Sequence, residues 1–428
     1  MADPGAGVPD VFDPRIYAAG PPYAAYRELR DHHPVARQAE PEVLGWPAGP
    51  GFWAVTRHAD VVRVLKESGT FSSALGATQI RDPAPADLPF IRRMMLNQDP
   101  GPGSRRRSGG GGPPHDHGTL RRLVSRAFTP GRIERFEALV RERARALLSG
   151  ARDAAEDGVF DLVADVTDDY ALLNLTDLLG VPPGDRGLLL EWTERVIAYQ
   201  DPDEPPVLGP DGRPVNPRSP AMLAEMFAYA QQLAAYKRER PGDDVMTSLA
   251  HSELADAELE MFFFLLTVAG NDTVRSAAPG GFLALAEHPD EQAVLMNRQI
   301  PVDTAVEELL RWHPPVLSFR RTAAFDTAIA GQAVAAGDKV VVLHASANRD
   351  ERVFAEPDRL DLGRAPNPHV SFGDGPHVCL GAHFARLQLR VLHEEALRIL
   401  PRTELAAPPR RLVSNFINGV KSLPLSMS

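Results

Sequence analysis

Apolar residues recur at helical spacing through most of the chain from Leu120 onward, at about 116–127, 132–149, 161–179, 184–199, 220–239 and 254–287, with a further helix at about 380–400. Earlier, residues 21–32 read as a helix with proline at its start, and 51–57 as a strand, Phe-Trp-Ala-Val-Thr, leading into a helix at 58–66. Strand patterns are otherwise confined to about 316–344, where Thr327 to Ala330 and Lys339 to Leu343 flank a Gly-containing turn. The pattern predicts a mainly α fold with a smaller β-rich part and no internal repeat.

Three interruptions matter. Residues 201–220 hold seven prolines between two amphipathic helices and read as a mobile loop. Residues 101–114, Gly-Pro-Gly-Ser-Arg-Arg-Arg-Ser-Gly-Gly-Gly-Gly-Pro-Pro, are low-complexity and cannot pack a core; three arginines without interleaved aromatics make a solvated insertion the better reading than a nucleic-acid contact. Pro279-Gly280-Gly281 falls inside the longest helical pattern, where proline costs about 3 kcal/mol, so a kink or break is expected near Pro279.

Composition narrows the class. A chain of 428 residues, 43% hydrophobic and 24% charged, can bury a large core and is read as one domain, with 1–20 as an N-terminal extension. The net charge of -11 argues against general nucleic-acid binding. No run approaches the roughly 18 apolar residues of a membrane span, and the N-terminus lacks a basic and apolar leader. One cysteine excludes a disulfide framework and any multi-cysteine metal site, which suits a reducing, cytoplasmic setting. Arginine excess, with only four Lys among 46 basic residues, suggests a GC-rich bacterial gene.

That cysteine, Cys379, stands between a glycine-rich loop (Phe372, Gly373, Asp374, Gly375, Pro376) and the helix that follows. Unpaired N–H groups at a helix start favour the thiolate, and anionic sulfur suits iron. Gly373 and Gly375 permit a tight loop, and Gly381 lacks the Cβ that would hold a flat macrocycle off the helix. A buried, inert thiol and a cysteine nucleophile paired with His377 are the competing readings. In the long helix, Ala269, Gly270, Thr273 and Ala277 put small side chains on one face. The Thr273 hydroxyl can hydrogen-bond oxygen or a water, with Asp272 feeding protons, or it can bond back to the carbonyl of Ala269.

The spacing Phe-Gly-x-Gly-x-His-x-Cys-x-Gly and the stretch Ala-Gly-Asn-Asp-Thr resemble two motifs of the cytochrome P450 haem-thiolate monooxygenases. The resemblance implies that family's fold, with haem b between the long helix and the cysteine-loop helix. It implies Cys379 as iron ligand, with Ala269, Gly270, Phe372 and Gly381 against the macrocycle. His117, Arg121, Arg321 and His377 match positions that bind propionates. Glu308 and Arg311, in Glu-x-x-Arg, match a buried pair joined by a downstream arginine, for which Arg359 in Pro357-Asp358-Arg359 is the candidate.

The implied reaction uses O2, with electrons from NAD(P)H through a ferredoxin reductase and a ferredoxin; the latter would dock on the basic stripe Arg121, Arg122, Arg126, Arg132 and Arg135. The C-terminal segment looks like the actinobacterial branch that oxidises sterols and methyl-branched lipids, with Val268, Val316, Leu317, Phe416 and Ile417 lining an apolar pocket in a monomeric enzyme. Tailoring or coupling in natural-product biosynthesis is the alternative within enzymes, and a non-catalytic haem-thiolate sensor the alternative outside them.

Overall fold

The longest apolar-periodic segment forms a single 32-residue helix, Asp256–Glu287, about 48 Å long at 1.5 Å per residue. It is apolar on nearly every side because helices Asp168–Leu179, Arg186–Ile197, Pro220–Glu239, Val302–Trp312 and Ala382–Ile399 pack around it. Its start is fixed by Glu258, whose carboxylate accepts the backbone N–H of Ala255 at 3.1 Å and that of His115 at 3.0 Å. The computed structural model describes residues 7–100, 115–204 and 206–427. The insertion 101–114 expected from the sequence lies outside them.

The break expected at Pro279 is absent: the helix runs through it to Glu287. Neighbours on several sides outweigh the local cost, and the adjacent glycines serve packing. A Cβ at Gly280 would lie 2.1 Å from the His313 ring, and one at Gly281 3.2 Å from His393.

The β-rich part is a five-stranded sheet in the order Val35–Gln38, Phe52–Val55, Lys339–Leu343, Ser318–Ala323, Phe71–Ser72. Lys339–Leu343 is central, parallel to Phe52–Val55 and antiparallel to Ser318–Ala323, and buried along its length, as its Val-Val-Val run suggests. The hairpin expectation needs correcting. Thr327–Ile329 pairs with Gln332–Val334, a strand the sequence reading passed over. Ala330 and Gly331, both at positive φ (48° and 83°), make the tight turn between them.

Residues 7–20, read as an extension, place Val11, Phe12 and Tyr17 in an apolar cluster against the sheet. The C-terminal strand Pro424–Met427 pairs with both Val159–Asp161 and Thr403–Leu405. Among the described residues, no helix is long and apolar enough to cross a membrane.

Candidate functional site

The cysteine loop is built by its own backbone. Gly373 and Gly375 sit at φ 69° and 68°, open to glycine at little cost, and the Cys379 N–H donates to the Phe372 carbonyl at 2.8 Å. A Cβ at Gly375 would meet the Leu65 carbonyl at 2.7 Å, so the loop seats on the end of helix His58–Lys66 only as glycine. Gly381 then caps helix Ala382–Ile399, and a Cβ there would meet nothing within 4 Å.

Cys379 is exposed where it opens onto a cavity, although the surrounding chain crowds its sulfur. Burial pushes its thiol pKa up, against the pull of the Gly381 N–H and the cations of Arg121 and Arg386. This reverses the expectation from the helix start alone: desolvation outweighs the N-terminal field. Among the described residues no group of three or more His, Cys, Asp or Glu could hold a metal ion.

The opposite wall comes from the long helix, where Ala269, Gly270, Thr273 and Ala277 face the same cavity. The missing Cβ of Gly270 serves Leu175, whose Cδ1 would lie 2.5 Å from it. Thr273 Oγ1 donates to the Ala269 carbonyl at 2.8 Å, the local bond that competes with proton delivery. Its oxygen can still accept a hydrogen bond from the cavity. Asp272 is buried, with Oδ2 lacking any partner. Burial pushes its carboxyl up to about 7, against the pull of the Arg275 cation, which pairs with Asp168 at 2.6 Å.

Four donors gather at one rim. His117 and His377 stack edge to face with ring centroids 4.5 Å apart, and His377 Nε2 lies 3.3 Å from Ser73 Oγ. His117 Nε2 is buried without a partner, and burial holds that imidazole down at about 4. Arg321 is fully buried and donates to the Arg320 carbonyl at 2.9 Å; burial lowers its pKa to about 10. Arg121 donates to the Val378 carbonyl at 2.7 Å. The buried Arg321, the half-buried Arg121 and an orphaned imidazole nitrogen around an open cradle above a thiol fit the two carboxylates of a haem.

Behind the loop, Arg311 and Glu308 form a bidentate pair, 2.7 Å at each contact, with both side chains fully buried. The third arginine is not Arg359. Arg359 is 64% exposed beside Glu356, and only its carbonyl turns inward. Arg364 takes the place instead, with Nε 3.2 Å from both Glu308 oxygens, joined by Asn367 at 3.1 Å. Buried Leu360 and Leu362 and the bend at Gly363 carry the chain back by five residues, a tertiary fact that Pro-x-Arg spacing does not encode.

A second, upper cavity shares Leu96, Ala269, Thr273, Val316 and Phe319 with the first. Val268, Val316, Phe416 and Ile417 line it as expected from the sequence. Leu317 does not: Val316 bridges Ile417 at the cavity, and the extended chain turns the next side chain to the opposite face, among Val11, Phe12 and Tyr17. Sequence reasoning missed Phe90, Met94 and Phe319 in the wall, and two arginines, Arg81 and Arg218. The two arginines lie in loops, which carry no periodicity.

The basic stripe is partly neutralised. Arg132 and Arg135 pair with Asp243 at 2.7 and 3.1 Å and Arg121 turns inward, which leaves Arg122 and Arg126 exposed.

Comparison with known proteins gives consistent results. The sequence model of the family Cytochrome P450 matches residues 229–400. A methyl-branched lipid omega-hydroxylase of Mycobacterium tuberculosis is 37% identical, covering 94% of this chain and 90% of the relative. A steroid C26-monooxygenase of Rhodococcus jostii is 35% identical, covering 96% and 83%. The solved structure of a Mycobacterium marinum cytochrome P450 in complex with pseudoionone is similar at a TM-score of 0.82 and 37% identity, covering 96% of this chain and 97% of that one.

Proposed function

The chain belongs to the cytochrome P450 family and is a monooxygenase of that family, and from that premise we propose that it hydroxylates a C–H bond of an apolar lipid, a sterol, terpenoid or methyl-branched chain, held in the upper cavity. In balance, one C–H becomes C–OH, the second oxygen atom of O2 leaves as water, and two electrons and two protons are consumed. The electrons would come from NAD(P)H through a reductase and a ferredoxin, docking over Arg122 and Arg126.

One observation carries the reading. The sole thiol faces the small-residue stretch Ala269, Gly270 and Thr273 across a cavity whose rim holds cations without ion-pair partners among the described residues. Cys379 would ligate the haem iron and His117, Arg121, Arg321 and His377 its propionates. Bound haem supplies the activation of O2 and accepts the electrons.

The chain's own residues manage substrate and protons. Phe319, Phe416, Val316 and Ile417 give a dry apolar wall that positions the substrate against Thr273. Asp272, with its pKa at about 7, both takes up and gives a proton at Oδ2 near neutral pH. Thr273 stands next to it with its hydroxyl oxygen available to a water in the cavity. The Glu308, Arg311 and Arg364 cluster holds the loop that presents the sulfur.

The test is turnover under isotopically labelled dioxygen, with surrogate ferredoxin and reductase and a panel of branched lipids and sterols. Incorporation of one labelled oxygen into product, with NADPH consumed in proportion, is expected; ligand binding without any oxygenated product would refute the reading.

A further inference from the structure

The upper cavity is mainly apolar, with Asn97, Asp272 and Thr273 among its polar lining, and residues 77–81 and 216–218 bring two arginines to its wall. Arg218 hydrogen-bonds the Gln79 side-chain oxygen through Nη1, and its guanidinium carbon lies 5.5 Å from the Tyr199 ring centroid and 5.9 Å from that of Phe416. Arg81 donates Nη1 to the Pro47 carbonyl at 2.8 Å and lies over Phe12 and Trp46, while its Nε and Nη2 are buried without a partner. Asp272 lines the same cavity and its charge reaches Arg218, but the two form no ion pair; the acids nearest Arg81 are already taken. Asp82 pairs with Arg320 at 2.6 Å and Lys339 at 2.7 Å, and Glu40 with Lys339 at 2.7 Å. Among the described residues neither Arg81 nor Arg218 has an ion pair.

Two partly enclosed guanidinium groups without ion pairs are costly in a wall that is mainly apolar. Burial lowers the pKa of both, with Tyr199 the nearest opposing influence. A planar anion matched to the guanidinium fork offsets that cost. We propose that the substrate is an amphipathic carboxylic acid whose carboxylate is held by Arg218 and Arg81 while its apolar body runs through the upper cavity toward Thr273. Neither arginine reaches the cavity at Cys379, though Arg81 also borders a small side cavity with Phe12 and Tyr199, whereas Thr273 and Ala269 border both the upper and the Cys379 cavities, so the oxidised carbon lies on the apolar portion remote from the acid. This anchor rests on the monooxygenase reading and specifies the substrate class for the same cavity.

Calorimetric titration of the holoenzyme with hexadecanoic acid, hexadecanol and methyl hexadecanoate tests it. The acid should bind about tenfold or more tightly than the alcohol and ester, the scale of one charge-assisted hydrogen bond. Arg218→Gln should abolish that preference and leave the alcohol's affinity unchanged, Arg218→Lys should retain part of it, and Arg81→Gln should reduce it, with circular dichroism verifying the fold of each. Equal affinity for acid and alcohol in the wild type overturns the anchor, as does a loss in Arg218→Gln shared equally by all three probes, which would assign Arg218 to the electrostatics of Asp272. Turnover separates the two claims. Acid-selective binding with no oxygenated product defeats the monooxygenase reading and keeps the anchor; oxygenation of alcohol and acid with equal affinities keeps the monooxygenase and defeats the anchor.

Discussion

Asn348 Nδ2 donates to Ser371 Oγ at 2.8 Å while Asn348 Oδ1 accepts the Val370 N–H at 2.8 Å. The carbonyl of the same asparagine accepts Arg311 Nη1 at 2.9 Å, so one residue ties the buried charge cluster to the chain that enters the cysteine loop. Ser371 completes the tie by donating to the Leu310 carbonyl at 2.7 Å, on the helix that carries Glu308 and Arg311.

The cluster should therefore be felt at the cofactor. Arg364→Ala leaves the fully buried Glu308 with one guanidinium instead of two, and a loss of about 3 kcal/mol is expected, together with reduced haem content. Arg359→Ala should stay within about 0.5 kcal/mol of wild type, since that side chain is a solvated partner of Glu356. Thermal melts and haem-to-protein ratios of the two variants check the assignment, and equal effects would reject it.

Asp272 predicts a pH dependence. Its folded pKa of about 7 lies above the ordinary value of 3.8, so the stabilisation from its protonated form is complete below about pH 4 and is lost as pH rises to about 7, an upper limit on the order of 4 kcal/mol. Asp272→Asn should gain on wild type across that window and hold a constant advantage above it. The same variant, like Thr273→Ala, should consume NADPH with less product. Denaturant melts from pH 4 to 8 and product-to-NADPH ratios measure both effects.

Gly280 reverses a rule of helix propensity. Ala usually gains up to about 1 kcal/mol over Gly inside a helix, but here its Cβ would lie 2.1 Å from the buried His313 ring, which is held to the Asn418 carbonyl at 2.9 Å. Overpacking of this kind costs about 1–3 kcal/mol. Gly280→Ala should thus destabilise the protein, and a stabilised variant in equilibrium unfolding would contradict the packing argument.

Arg321 and His117 should govern haem retention more than rate. Arg321→Ala removes a buried cation that has no ion pair among the described residues, so haem transfer to an apo-globin acceptor should accelerate about tenfold or more, with His117→Ala smaller in effect. Unchanged haem loss in both would remove them from the propionate role.

What the sequence disclosed follows physical locality. The cysteine loop is legible because Gly373, Gly375 and the Phe372-to-Cys379 backbone bond close within eight residues. The long helices are legible because their burial is periodic. Arg364 was missed in favour of Arg359, and Leu317 was assigned to the wrong face, because both depend on where a loop or an extended strand turns in three dimensions. The break at Pro279 was overruled by packing on several sides, and the thiol's pKa by desolvation, neither of which local sequence carries. Arg81 and Arg218 sit in loops whose composition looks merely polar, and only the cavity gives them meaning.

The bond between the Cys379 sulfur and the haem iron is the claim on which the rest depends. X-ray absorption at the iron edge of the purified holoprotein measures it directly. One sulfur neighbour in the iron's first coordination shell, absent in Cys379→Ala, is the predicted result; iron surrounded only by nitrogen and oxygen in the wild type, or a sulfur signal that survives Cys379→Ala, would contradict it.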